Sequence, residues 1–219
     1  MFKAAMATDF LLNALATLFV TIDPLGLAPI FLAVTQGQTG AQRRNTGIRA
    51  VIIAAIVLAA FALAGERLLG VLGISLPAFR IAGGLMLFWI GFEMTFEKRE
   101  ARKTQSANRA VQEPQLQDVA AVPLAVPLMA GPGAITAVIL LSGSRSGDDW
   151  VLPVVLIMIA IVLASCLIIF LLADKVDRLL GNTGRTVLTR LLGVILAALA
   201  VQYVADGVSA LVRITPAPG

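Results

Sequence analysis

Six runs of apolar residues, parted by short polar and basic stretches, organise the chain. They cover about Thr8–Thr35, Ile48–Ala64, Leu76–Phe96, Val119–Ser142, Trp150–Ala173 and Val187–Val212. About 20 apolar residues suffice for an α-helix to cross a bilayer, and Trp150–Ala173 alone gives 24 residues without a formal charge. The pattern predicts an all-α membrane protein of six transmembrane helices. Thr8 or Asp9 suits the cap of the first. Between the third and fourth runs, Glu97–Asp118 is polar and lacks apolar periodicity, so it reads as a solvated loop or a frayed helix.

Two runs are interrupted. In the first, Thr21-Ile-Asp-Pro-Leu-Gly-Leu-Ala-Pro29 places two prolines, a glycine and a carboxylate inside an apolar stretch. Pro24 and Pro29 each remove a backbone donor and clash with the preceding turn, so the helix is expected to kink or break there. In the fourth run, Pro123, Pro127 and Gly131-Pro132-Gly133 do the same. Broken backbone at membrane depth is tolerated only where it faces protein or a water-filled cavity. An ionisable residue at that depth points to a functional site.

The two halves of the chain also resemble each other. Ala55-Ile-Val-Leu-Ala59 recurs as Ala160–Ala164, Arg67-Leu-Leu-Gly70 as Arg178–Gly181, and Arg80-Ile-Ala-Gly83 as Arg190-Leu-Leu-Gly193. The register sets the broken first run opposite the broken fourth. With three spans per half, the second copy is inserted upside down. The expected organisation is therefore two inverted three-helix repeats, residues 1–96 and 119–219, joined by a basic cytoplasmic loop at 97–118, all in one membrane domain. Inverted repeats with interrupted helices in corresponding positions are the best sequence pointer to a transporter binding site. At ~1.5 Å per residue, Asp23 lies about 22 Å from one face and Gly131 about 18 Å from the other. The breaks are thus expected to meet near the middle of a ~30 Å core.

Composition agrees with this picture. The 219 residues are 58% hydrophobic and 14% charged, with mean hydropathy +0.91, against about 45–50% and about 25% in soluble domains. The net charge of +4 does not mark a nucleic-acid binder, because the basic residues cluster between apolar runs. With the N-terminus outside, cytoplasmic loops hold eleven Lys and Arg and outer segments four, leaving aside Arg80 and Arg190 within spans. That bias places both termini on the outer side. The first run, broken by Asp9 and Asn13, reads as a retained helix rather than a cleaved signal. The chain has no histidine, and its one cysteine, Cys166, lies in an apolar run. Phosphate-binding glycine loops, metal-ligand clusters and nucleophile–histidine pairs are all missing, so an enzyme is not expected and no cofactor or metal is implied.

The chemistry available at the breaks is that of a zwitterion or an ion. Each second half-helix opens with free backbone amides that suit a carboxylate. Freed carbonyls before the break suit a cation. Gly26, Gly131 and Gly133 let backbone approach a ligand. Asp23 suits a substrate ammonium, a coupling H+ or Na+, or simply a cap on the half-helix behind it. Thr21, Thr35, Asn13 and Thr136 are polar candidates for the same cavity, each alternatively an interhelical hydrogen bond. Arg80 and Arg190 sit about a turn inside opposite faces. There they either snorkel or pair with the broken helices as gates. Glu93 and Asp206 read as interfacial acids.

Ile22-Asp-Pro-Leu-Gly-Leu-Ala-Pro-Ile-Phe31 with Thr35, and Pro123-Leu-Ala-Val-Pro-Leu-Met-Ala-Gly-Pro-Gly-Ala-Ile135, resemble the two signatures of the MarC family of six-span membrane proteins. The resemblance covers nearly the whole chain. It implies a bacterial inner-membrane protein with periplasmic termini, and small neutral amino acids such as alanine, glycine or serine as substrates. The expected function is secondary transport by alternating access around Asp23–Pro29 and Ala130–Gly133, with the bilayer as surroundings; a homo-oligomer is compatible with it. A non-transporting accessory or scaffold protein is the alternative, with the Glu97–Asp118 loop as partner surface. Drug efflux ranks last, since two Trp and one Tyr furnish few aromatic walls.

Overall fold

The computed structural model describes residues 2–96, 98, 99, 102, 103, 105, 120–144 and 148–214. Val119, Arg109, Arg145 and most of the 97–118 loop lie outside the described residues. In order, the elements are α1 (Phe2–Ile22), α2 (Pro24–Val34), α3 (Gly40–Val71), α4 (Leu76–Thr95), an irregular stretch Ala120–Met129, α5 (Pro132–Ser142), α6 (Val151–Leu171) and α7 (Ala173–Ile214). No strand occurs among the described residues. Five helical segments are long and apolar enough to cross a membrane: Thr8–Val34, Gly40–Val71, Leu76–Thr95, Val151–Leu171 and Thr183–Arg213. The sixth is the pair Ala120–Met129 and Pro132–Ser142, bent by 55° at its break.

The helix ends are set by capping and propensity more than by where the apolar runs stop. α1 begins at Phe2, ahead of the expected cap, because Ala and Met before Thr8 are good helix formers. α3 starts eight residues before its apolar run, where Thr39 and Gln42 form a reciprocal capping box. Ser75 caps α4, with Pro77 in its first turn, where a missing amide costs nothing. α7 is interrupted at Gly181, whose φ of +56° glycine adopts freely.

The two breaks differ in kind. Asp23 adopts the left-handed conformation (φ 59°, ψ 66°) and Pro24 opens α2 directly behind it. Pro29, expected to kink the chain as well, sits inside α2 without ending it; one break, at Asp23, thus serves the whole first span. The fourth span is more irregular. Val122 and Val126 are extended, as residues before proline prefer, and both following peptide bonds are cis. Gly131 is extended and Pro132 opens α5.

Packing brings the second span against the fifth (α3 on α6) and the third against the sixth (α4 on α7). α4 and α7 run antiparallel and approach closely at Gly91 and Gly193, where a Cβ on Gly91 would lie 2.7 Å from the Gly193 carbonyl oxygen. Small residues let membrane helices meet this way. α2 meets α6 through Phe31 stacked on Phe170, with centroids 4.4 Å apart. The outer faces carry exposed apolar side chains such as Ile56, Trp89 and Leu191, as expected of surfaces turned to lipid.

Candidate functional site

The break at Asp23 rearranges the hydrogen bonds around it. The Asp23 amide still donates to the Phe19 carbonyl at 2.9 Å, closing α1. Its side chain then turns back to cap α2, with Oδ1 accepting from the Gly26 amide at 3.1 Å. The other oxygen, Oδ2, pairs with Lys103 Nζ at 3.0 Å, both side chains being buried. The cap foreseen from the Asp-Pro pair is therefore present, and a second partner is added from 80 residues away. Gly26 is required by this geometry, since a Cβ there would lie 2.2 Å from Asp23 Oδ2.

A helix end also leaves carbonyls without amide partners. The Thr21 carbonyl, in the last turn of α1, accepts a short hydrogen bond from the Arg99 guanidinium. The other arm of Arg99 reaches Met94 Sδ at 3.0 Å. Arg102, beside them, pairs with Glu93 at 2.6 Å. Burial works against the charge on both Arg99 and Lys103 and lowers their pKa values, while Asp23 opposes the shift in each case.

These contacts correct one expectation about the polar segment after α4, that its charges are solvated. Residues 98, 99, 102, 103 and 105 are helical, and Arg99 and Lys103 are buried rather than solvated. The freed carbonyl and the intramembrane carboxylate need donors, and this segment supplies them. Glu93, near the end of α4, is a buried acid paired to Arg102. One signal was available in the sequence: positions 99, 102 and 103 share a helix face by i, i+3, i+4 spacing.

A cavity of about 580 Å³ lies against the two broken spans. On one side it meets Thr21 together with Arg99, Arg102 and Lys103. On another it meets Pro127 and the start of α5, from Gly131 to Ala134. No side chain caps that helix start, so its first amides are available to a ligand. Gly131 comes so near the Pro127 carbonyl that a Cβ would sit 2.4 Å from its oxygen. Leu85, Met86, Trp89 and Ile90 of α4 complete the wall.

Of the residues singled out from sequence, Thr21, Gly131 and Gly133 line this cavity, and Asp23 reaches it through Lys103. Gly26 sits behind Asp23. Thr136 is buried against Gly83 of α4. Asn13 lies elsewhere, accepting from Thr17 at 3.0 Å and from Tyr203 at 3.1 Å. Thr35 bonds back to the Phe31 carbonyl and accepts from Arg43. Arg80 donates to the carbonyls of Gly143 and Ser144 just beyond α5; Arg190 is exposed on α7. Asp206 is exposed and bonded to Gln202. No cluster of metal-ligating side chains occurs among the described residues.

Comparison with known proteins adds the family. Residues 8–212 match the model for the MarC family of integral membrane proteins. A UPF0056 membrane protein of Methanocaldococcus jannaschii is 36% identical over 93% of this chain and 98% of its own length. The UPF0056 membrane protein YvbG of Bacillus subtilis is 33% identical over 92% and 95%. YhcE of Escherichia coli, also a UPF0056 membrane protein, is 35% identical over 87% and 88%. No solved structure matches the chain significantly. With residues 8–212 matched and relatives aligned over most of its length, this chain belongs to the MarC family of multi-pass integral membrane proteins.

Proposed function

We propose that the protein is a secondary transporter of small neutral amino acids across the cytoplasmic membrane, working by alternating access, with both termini periplasmic. The observation that carries this reading is the cavity at the two breaks, which combines the open start of α5 with the buried Asp23. An amino acid has a carboxylate for the first and an ammonium for the second. The packing of second span on fifth and third on sixth supports the idea of two halves moving about a shared site.

The ion pair suggests how binding and movement are linked. Lys103 presents to Asp23 the same ammonium group that a substrate would present. Substrate binding at Asp23 therefore requires Lys103 to withdraw, and with it the neighbouring helical residues Arg99 and Arg102. A gate built this way exchanges one ammonium for another, so the carboxylate is never left bare. H+ or Na+ at Asp23 is the corresponding means of coupling.

The test is flux of labelled alanine, glycine and serine in proteoliposomes, comparing wild type with Asp23→Asn. Asn tolerates the left-handed backbone and keeps a cap oxygen but leaves Lys103 buried without its partner, so Asp23→Asn is measured alone and together with Lys103→Met, each at equal amounts of folded protein. Saturable flux that is lost in Asp23→Asn is expected. Flux no greater than in empty liposomes ends this reading.

A further inference from the structure

The cavity has two unlike ends. Thr21, Arg99, Arg102, Lys103 and the start of α5 form a polar end. Leu85, Met86 and Trp89 form the other, and these three side chains are about half exposed on the outer face of α4 (58%, 46% and 57%). That face continues through Phe92 and Phe96, stacked in a row with Trp89. In a membrane-spanning helix an apolar face of this kind meets lipid. The cavity therefore leads from the bilayer into a cluster of cations.

Among the described residues the charges at the polar end do not cancel: three cations face two acids, with Lys103 paired to Asp23 and Arg102 to Glu93. Arg99 holds the Thr21 carbonyl and Met94 sulfur instead of a carboxylate. One positive charge is left over, beside a helix start that adds to it. A buried cation without a counter-ion is costly, and an incoming anion removes that cost. The volume, about 580 Å³, falls among sites that hold drug-sized ligands (~300–1,000 Å³), well beyond what one alanine occupies.

We propose that this cavity binds an anionic amphiphile drawn from the membrane. Its phosphate or carboxylate head lies against Arg99 and the Gly133 and Ala134 amides, and its apolar tail leaves past Met86 and Trp89. The head takes the same amides that the transport reading gives to a substrate carboxylate, but binding is read here without flux, so the failure of one is distinguishable from the failure of the other.

The experiment is a thermal-shift series on the detergent-solubilised chain with dodecyl phosphate, dodecanoate, dodecanol, inorganic phosphate and alanine. Both dodecyl anions should raise Tm by roughly 5 °C near saturation, whereas dodecanol and inorganic phosphate should not. Comparison of the two anions shows which head is preferred. Arg99→Gln, which orphans no carboxylate partner, should weaken dodecyl phosphate binding at least about tenfold, one charge-assisted contact's worth. A bulky Leu85→Trp, narrowing the opening, should weaken the dodecyl anions alone. Equal shifts with dodecanol, or with inorganic phosphate, overturn the proposal, because head and tail would then not be read together. Should Arg99→Gln fail to fold, the wild-type series decides the matter.

Discussion

Asp23 meets three demands at once: it turns the chain through a left-handed residue, caps the helix that follows, and holds a buried lysine. Removing one partner of a buried ion pair is far more damaging than removing both, because the survivor's charge stays in low dielectric. Lys103→Met should therefore destabilise the chain by about 3–5 kcal/mol, and Asp23→Asn in the same chain should recover most of that. Thermal unfolding in detergent followed by tryptophan fluorescence checks it; simple additivity of the two substitutions would show that the pair is not coupled. Gly26→Ala tests the same site from behind. Its methyl would meet the carboxylate at 2.2 Å, so Asp23 must swing away and lose both the cap and Lys103. A stability loss approaching that of Lys103→Met is expected in the same melt, and an unchanged melting temperature would show that the carboxylate does not need this position. The cap was legible in the sequence, since an Asp-Pro pair inside an apolar run carries its own chemistry. Lys103 was not, because a lysine in a polar stretch 80 residues away looks like any solvated charge until the chain is folded.

The elements were legible where hydrophobicity decides them and illegible where hydrogen bonding does. Six apolar runs became five spanning helical segments and one bent pair, because lipid forces apolar backbone into helix. Their ends moved outward by up to eight residues at α3, since a capping box holds a helix together beyond the bilayer as well as within it. Pro29, one of two prolines at which a kink or break is expected, lies inside α2 without ending it, whereas Pro123 and Pro127 give a wholly irregular stretch. The crossing of α4 and α7 singles out Gly91. A methyl there would meet the Gly193 carbonyl at 2.7 Å and the Ala197 amide nitrogen at 2.8 Å, both backbone atoms that cannot step aside. Gly91→Ala should cost about 1–3 kcal/mol. By contrast, Gly70→Ala near the end of α3 meets nothing within 4 Å and should stabilise by up to about 1 kcal/mol through the lower entropy of its unfolded chain. Opposite signs in one melting experiment are the expected result. A Gly91→Ala chain as stable as wild type would mean that α4 and α7 are not pressed together at this point.

At the scale of the molecule, the distribution of charge and the length of α3 together make topology testable. α3 is 32 residues long, about 48 Å at 1.5 Å per residue, so its two ends emerge on opposite sides of a ~30 Å core. Gln36 precedes it, near Arg43 and Arg44, and Ile74 follows it; both are exposed. The excess of Lys and Arg predicts that the Gln36 side is cytoplasmic. Arg99 and Lys103, though buried, enter the bundle from the same side and leave the bias in place. Cys166 is fully buried, and replacing it with Ala leaves a chain in which each introduced thiol reports alone. Ile74→Cys should react with a membrane-impermeant maleimide in intact cells. Gln36→Cys should react only after the membrane is permeabilised. The reverse pattern would turn the molecule over, and Arg99, Arg102 and Lys103 would then face the outer leaflet. Labelling of both sites in intact cells would point to dual insertion, a natural outcome for two halves of opposite orientation whose charge bias is too weak to choose.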